Sequence, residues 1–178
     1  MSVTEHFSLL ARYNSGMNQQ LYDAAAKLPA GEFTADRQAF FGSLAGTLNH
    51  LLTADTLWLK RFAAHPAQFP ALQAVRDTPQ PASLTHSFGD DLATLRAHRE
   101  RLDAVISALA AQLTAADLAQ PFEYRSTRGD LYRKEFGLVL LHFFNHQTHH
   151  RGQASTLLTQ AGVDLGVTDI IVLVPELP

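Results

Sequence analysis

The chain has 178 residues, of which 46% are hydrophobic and 17% charged, and this composition predicts one globular domain over residues 1–178. The net charge is −3, and the basic residues form no cluster, which argues against nucleic acid as a partner. The chain has neither a signal-like start nor a run of about 18 apolar residues. We therefore expect a cytoplasmic protein without a membrane segment. The sequence contains no cysteine, which excludes disulfides, thiolate metal sites and a cysteine nucleophile.

Four segments carry apolar residues at the alternating spacing of three and four that is typical of amphipathic helices. They run from Phe7 to Leu28, from Phe41 to Phe62, from Phe88 to Leu113 and from about Tyr132 to Ala161. Four long amphipathic helices predict an all-α protein, a four-helix bundle. The pattern alone leaves the connectivity of the bundle open.

Three further segments connect or follow these helices. The connector from His65 to Ala82 contains four prolines, is too long for a tight turn and predicts a crossover along the bundle. Residues 121–132 alternate around a central glycine, which predicts a short hairpin or an ordered loop. The tail from Asp169 to Val174 is strand-like, and we expect it to pack across the bundle or at a subunit contact.

Three of the nine histidines indicate a metal site. His146 and His150 are four residues apart on the predicted fourth helix, so their side chains project from one face, as in the paired histidines of zinc proteases. Catalytic zinc usually has three protein ligands, and His50 is the best third candidate, because it lies mid-helix among small neighbours. His149 competes with His150 as a ligand, and the spacing does not decide between them.

A bundle without metal is the alternative at this stage, because buried histidines serve more often as hydrogen-bonded core residues than as ligands. Asp55 is expected to pair with a polar group of the bundle, and Asn49 and Asn145 to form hydrogen bonds between helices. We expect Arg151 to be exposed or to cap a helix, and Gln153 to lie beside the ligands or on the surface.

Five other histidines are expected at the surface, packed against other side chains or around the site: His6, His65, His86, His98 and His142.

The sequence resembles the DinB/YfiT-like family of metalloenzymes over nearly its whole length. The most specific motif runs from Asn145 to Gln153 and reads as a histidine pair that continues into Arg-Gly-Gln. The stretch from Gly42 to Trp58 resembles the second helix of the family. Tyr13-Asn14, followed by Asn18 and Leu21, resembles the first.

This resemblance implies an up-up-down-down four-helix bundle with long crossover connections. It also implies a homodimer, and a zinc or nickel ion at one end of a pocket. By motif position the three metal ligands fall on His50, His146 and His150, which leaves His149 out of the set.

Three neutral imidazoles leave a bound ion nearly its full charge, so it can activate water or a thiol. Some relatives in the resembled family are transferases or isomerases that use a low-molecular-weight thiol. The absence of cysteine agrees with a sulfur nucleophile that arrives as a cosubstrate. The leading hypothesis is a metal-dependent, thiol-dependent S-transferase acting on a small molecule; the alternatives are a hydrolase that uses bound hydroxide and a non-catalytic, stress-associated metal-binding protein.

Overall fold

The computed structural model describes residues 2–176 and shows a mainly helical protein with one two-stranded sheet. The long helices are α1 (Val3–Ala25), α2 (Leu44–Phe62), α4 (Leu92–Gln112) and α6 (Phe136–Gln160). The shorter elements are α3 (Gln73–Arg76), α5 (Ala115–Leu118), β1 (Pro121–Arg125), β2 (Leu131–Glu135) and two 3-10 helices (Pro70–Leu72 and Ile170–Leu173). Within the described residues, no helix is both long and apolar enough to cross a membrane.

Capping residues determine where the long helices begin. Ser2 and Glu5 form a capping box at the start of α1, and the Ser43 hydroxyl accepts a hydrogen bond from the third residue of α2. Asp91 caps α4 in the same way. Because such caps bind the free N–H groups of a first turn, α2 and α4 begin three and four residues after the predicted Phe41 and Phe88.

The expectation of an all-α protein needs a correction, because residues 121–135 form a β-hairpin. Strands β1 and β2 are antiparallel, with Tyr124 opposite Tyr132. Phe122 is 1% exposed, and its ring centroid lies 5.9 Å from that of Phe62 and 5.3 Å from that of Phe136. The pairing of Tyr132 in β2 also explains why α6 begins at Phe136 rather than near Tyr132.

The C-terminal tail was predicted as strand-like, and this was wrong. Residues Ile170–Leu173 form a 3-10 helix. The chain before it lies along α1, where the Tyr13 hydroxyl donates to the Thr168 carbonyl at 2.6 Å and Gln20 donates to the Leu165 carbonyl. The tail therefore contacts α1 without joining a sheet.

The long helices surround a core that combines apolar and polar side chains. Helix α1 contacts α4 and α6, and α2 contacts the same two helices. Leu21, Leu52, Leu95 and Leu158 are fully buried, one from each long helix. Helices α2 and α6 run antiparallel, since His50 lies against His150 at one end and Trp58 against His142 at the other.

Candidate metal centre

The structure brings together one nitrogen from each of His50, His146 and His150, all within 4.8 Å of one another. The Nε2 atom of His150 lies 3.2 Å from that of His50 and 3.1 Å from that of His146. Ligand atoms about 2.0–2.1 Å from a tetrahedral zinc ion are about 3.3 Å apart. The two short N–N distances are therefore close to those of a zinc ligand set.

Hydrogen bonds at Nδ1 orient two of these imidazoles. His150 Nδ1 lies 2.7 Å from the amide oxygen of Gln153, and His50 Nδ1 lies 3.4 Å from the Leu84 carbonyl. Both partners are acceptors, so each Nδ1 carries the proton and each Nε2 keeps its lone pair. His146 Nδ1 is buried without a hydrogen-bond partner among the described residues. The facing lone pairs of His50 and His150 fit a cation between them.

All three imidazoles are held in the neutral form that a metal ligand requires. Burial, together with the nearby His150 and His50, lowers the pKa of His146 to about 3. Burial and His150 lower the pKa of His50, and burial lowers that of His150. Protons therefore compete weakly for these nitrogens at neutral pH.

Phe41 covers the histidine group, a role that its apolar helical spacing did not predict. It lies in the turn before α2, where Gly42 has a φ of +75°, a conformation that favours glycine. The Phe41 ring stacks on His50 with centroids 4.0 Å apart and meets His150 edge-on at 5.5 Å. The adjacent Phe40 is 87% exposed.

Several neighbouring residues lie outside the group. His149 is exposed and contributes no atom to it. Gln153, which was expected either beside the ligands or on the surface, contacts His150 directly. Asn49 binds the loop before α4, through the N–H of Phe88 and the Gly89 carbonyl. Asn145 is exposed, so its predicted bond between helices was wrong.

A buried polar network adjoins the candidate metal centre. Asp55 accepts from Arg99 at 2.5 Å and from Gln147 at 2.8 Å, which confirms that it pairs with polar groups of neighbouring helices. Arg99 also contacts Asp103 at 3.0 Å, and Asn18 donates to both Asp103 oxygens. The network therefore joins α1, α2, α4 and α6.

Arg151 completes this network, contrary to the expectation that it would be exposed or cap a helix. Its side chain is buried and donates to Asn14 and to Thr148. Arg151 adds a second positive charge that reaches the network through Asn14. Arg99 pairs directly with the carboxylates of Asp55 and Asp103. Pairing of this kind offsets the high cost of burying charge.

Comparison with known proteins places this chain in a family. The model described as "DinB family" matches residues 1–173. This chain belongs to the DinB family. Among its DinB relatives, Protein DinB of Bacillus subtilis (strain 168) is 24% identical over 160 residues, which cover 90% of this chain and 88% of the relative. No solved structure matches the chain. The DinB match includes both helices that carry the three histidines.

Proposed function

We propose that His50, His146 and His150 of this DinB-family protein hold one divalent metal ion, zinc or nickel, for thiol-dependent S-transfer to a small electrophile. The observation that carries the proposal is the convergence of three neutral Nε2 donors from two helices. When bound there, the ion supplies a Lewis acid that lowers the pKa of a coordinated thiol or water. The protein supplies the orientation, through Gln153 and the Leu84 carbonyl.

The surroundings of the histidine group favour a thiol over water as the nucleophile, and the composition requires that thiol to be external. The sequence has no cysteine, so a sulfur nucleophile must come from a cosubstrate. Within residues 2–176, the histidine group includes no aspartate or glutamate that can serve as a base for water. The nearby carboxylate of Asp55 already accepts from Arg99 and Gln147. A thiol needs less help from a base, because its pKa is near 8.5 before coordination.

The proposal extends to the architecture. The four long helices, with the long connector between α2 and α4, support an up-up-down-down four-helix bundle. The family resemblance supports a homodimer, and the proposal keeps the expected cytoplasmic location. A dimer predicts twice the chain mass in light scattering after gel filtration, and a monomer mass would contradict that part of the proposal.

The test of function compares electrophile conversion by the metal-loaded protein with and without a low-molecular-weight thiol. We expect conversion only with the thiol, and its loss in His50→Ala with the helical circular dichroism spectrum unchanged. His149→Ala, a matched change on the exposed side of α6, should keep activity. Conversion without thiol would assign the hydrolase instead. No conversion, with a large fall in melting temperature on chelation, would indicate a structural metal.

A further inference from the structure

A cavity of about 250 Å³ lies between α2, α6 and the hairpin. We call it the aromatic cavity, and its lining consists of Trp58, Tyr124, Lys134, Leu138, Val139 and His142. The ring centroids of His142 and His146 are 6.0 Å apart, so the cavity and the histidine group are neighbours on α6. Pockets for drug-sized ligands have volumes of about 300 Å³ or more. The aromatic cavity is somewhat smaller, so its volume suits a molecule with a single ring.

The walls of the aromatic cavity favour a flat, apolar body. Trp58 meets Tyr124 edge-on with centroids 5.1 Å apart, and meets His142 edge-on at 5.4 Å. Leu138 is 61% exposed although it lies beside this cavity. Aromatic rings prefer offset or edge-to-face neighbours at centroid distances of about 4.5–7 Å. A planar ring bound here gains such contacts on more than one side.

The same cavity carries positive charge without an acidic counterpart. Lys134 lines it. The Arg61 guanidinium lies outside the lining but beside two of its rings, 4.6 Å from the Trp58 ring centroid and 5.7 Å from that of Tyr124. In the part of the chain that the structure describes, neither cation has a carboxylate within 4.0 Å, whereas Arg133 on the same strand pairs with Glu123. Cations beside apolar walls attract an anionic group more strongly than cations in open solvent do.

From these contacts we infer that the aromatic cavity binds a planar aromatic carboxylate, with the ring against Trp58 and Tyr124 and the carboxylate toward Lys134 and Arg61. As a subsite for the electrophile, this inference rests on the proposed function. His50 and Trp58 are eight residues apart, which is about 12 Å along α2 at 1.5 Å per residue. A substrate whose reacting atom lies at the metal centre must therefore extend roughly that far to fill the cavity.

The test uses Trp58, the sole tryptophan of the chain, as a fluorescent reporter. Metal-free protein is titrated with 4-methylbenzoate and with its neutral analogue 4-methylbenzyl alcohol. We expect a saturable change in Trp58 emission with the carboxylate and an affinity at least tenfold weaker for the alcohol. Equal affinity for the two compounds, or no saturable change with the carboxylate, would overturn the inference.

Variants then locate the bound carboxylate. Lys134→Met combined with Arg61→Met should weaken 4-methylbenzoate binding at least tenfold, while Arg133→Gln should leave it unchanged. Arg133 is a matched control because adjacent strand residues point to opposite faces. Calorimetric titration of the same variants, with folding checked by circular dichroism, gives a second readout. Loss of binding in Arg133→Gln but not in the double variant would contradict the assignment.

A third variant separates this inference from the proposed metal function. His50→Ala should lose metal binding and keep 4-methylbenzoate binding, because His50 does not line the aromatic cavity. If wild-type protein binds metal but not the carboxylate, the cavity inference fails alone. If it binds the carboxylate but no metal, the proposed function fails alone.

Discussion

At the scale of single residues, the amide oxygen of Gln153 decides which nitrogen of His150 carries the proton. The Nδ1–H of His150 donates to this oxygen at 2.7 Å, which leaves Nε2 free toward His50 and His146. Partners of this kind fix the ring and the tautomer of a metal-binding histidine. The sequence left Gln153 open between this role and the surface, because a pattern cannot show which rotamer an amide adopts.

Gln153→Ala should therefore weaken metal binding without unfolding the protein. We expect the metal affinity to fall about 10-fold or more, because loss of a group that orients a metal ligand typically weakens metal binding about 10-fold to 100-fold. Competition with a chromophoric chelator measures the affinity. Gln160→Ala, on the exposed surface of the same helix, is the control, and equal affinities of the two variants would argue against the role of Gln153.

The low pKa of His146 gives the metal-free protein a specific pH dependence. Burial and the neighbouring imidazoles lower this pKa from 6.5 to about 3, so the unfolded chain binds more protons between these values. The contribution of His146 should therefore lower the melting temperature as the pH drops below about 6.5, and this contribution should level off near pH 3. Thermal unfolding at a series of pH values, with a chelator present to remove metal, measures this dependence.

His146→Gln should make this dependence less steep, since glutamine does not titrate, while the lowered pKa values of His50 and His150 keep part of it. His149→Gln, an exposed neighbour outside the group, should retain the wild-type slope. A wild-type melting temperature that stays constant from pH 7 to pH 4 would contradict the assigned burial of His146.

At the scale of elements, apolar spacing identified the four long helices, whereas caps and strand pairing fixed their ends. Phe41 shows the consequence most clearly. It fits the spacing of α2, yet Ser43 caps that helix, which leaves Phe41 in the preceding turn and against His50. A local pattern contains no information about that contact, because the contact depends on where the chain turns.

Phe41→Ala should loosen the metal centre and keep the fold. Loss of one aromatic contact costs about 0.5–1.5 kcal/mol, so we expect metal affinity to fall by a factor between about 2 and about 13. Stopped-flow release to a chelator should show faster dissociation. Phe40→Ala, at the exposed adjacent position, should behave as wild type, and identical release rates in the two variants would disprove the covering role of Phe41.

The buried network that joins the helices was only partly predictable. Asp55 was expected to pair within the bundle, because a carboxylate on a buried helix face needs a partner. Arg151 was expected near the surface, since arginine is rarely buried and its partner Asn14 lies 137 residues away in the chain. A local sequence pattern does not indicate such a long-range pairing.

Asp55→Asn should destabilise the protein strongly, because it leaves the buried Arg99 guanidinium without its closest carboxylate. Breaking a buried ion pair in this way costs about 3–5 kcal/mol. Asp23→Asn breaks the exposed pair with Arg96 and should cost about 0–1 kcal/mol. Urea unfolding measures both free energies, and similar values for the two variants would contradict a structural role for the network.

At the scale of the whole molecule, the network and the histidine group lie side by side between the same helices. Asp55 and His50 share α2, while Gln147 and Arg151 directly follow His146 and His150 on α6. The hydrogen bond from Gln147 to Asp55 therefore fixes α6 against α2 at the level where the imidazoles meet. The helices could be predicted from the chain alone, but their relative placement depends on these contacts between distant residues.

The most direct test of the central claim is the metal content of the purified protein, measured by elemental analysis together with X-ray absorption at the metal edge. We expect about one zinc or nickel ion per chain, with three imidazole nitrogens at about 2.0–2.1 Å if the ion is zinc. His50→Ala should lose the ion, and His149→Ala should retain it. Wild-type protein that binds no metal after incubation with zinc or nickel, or a His50→Ala variant that keeps a full equivalent, would contradict the account.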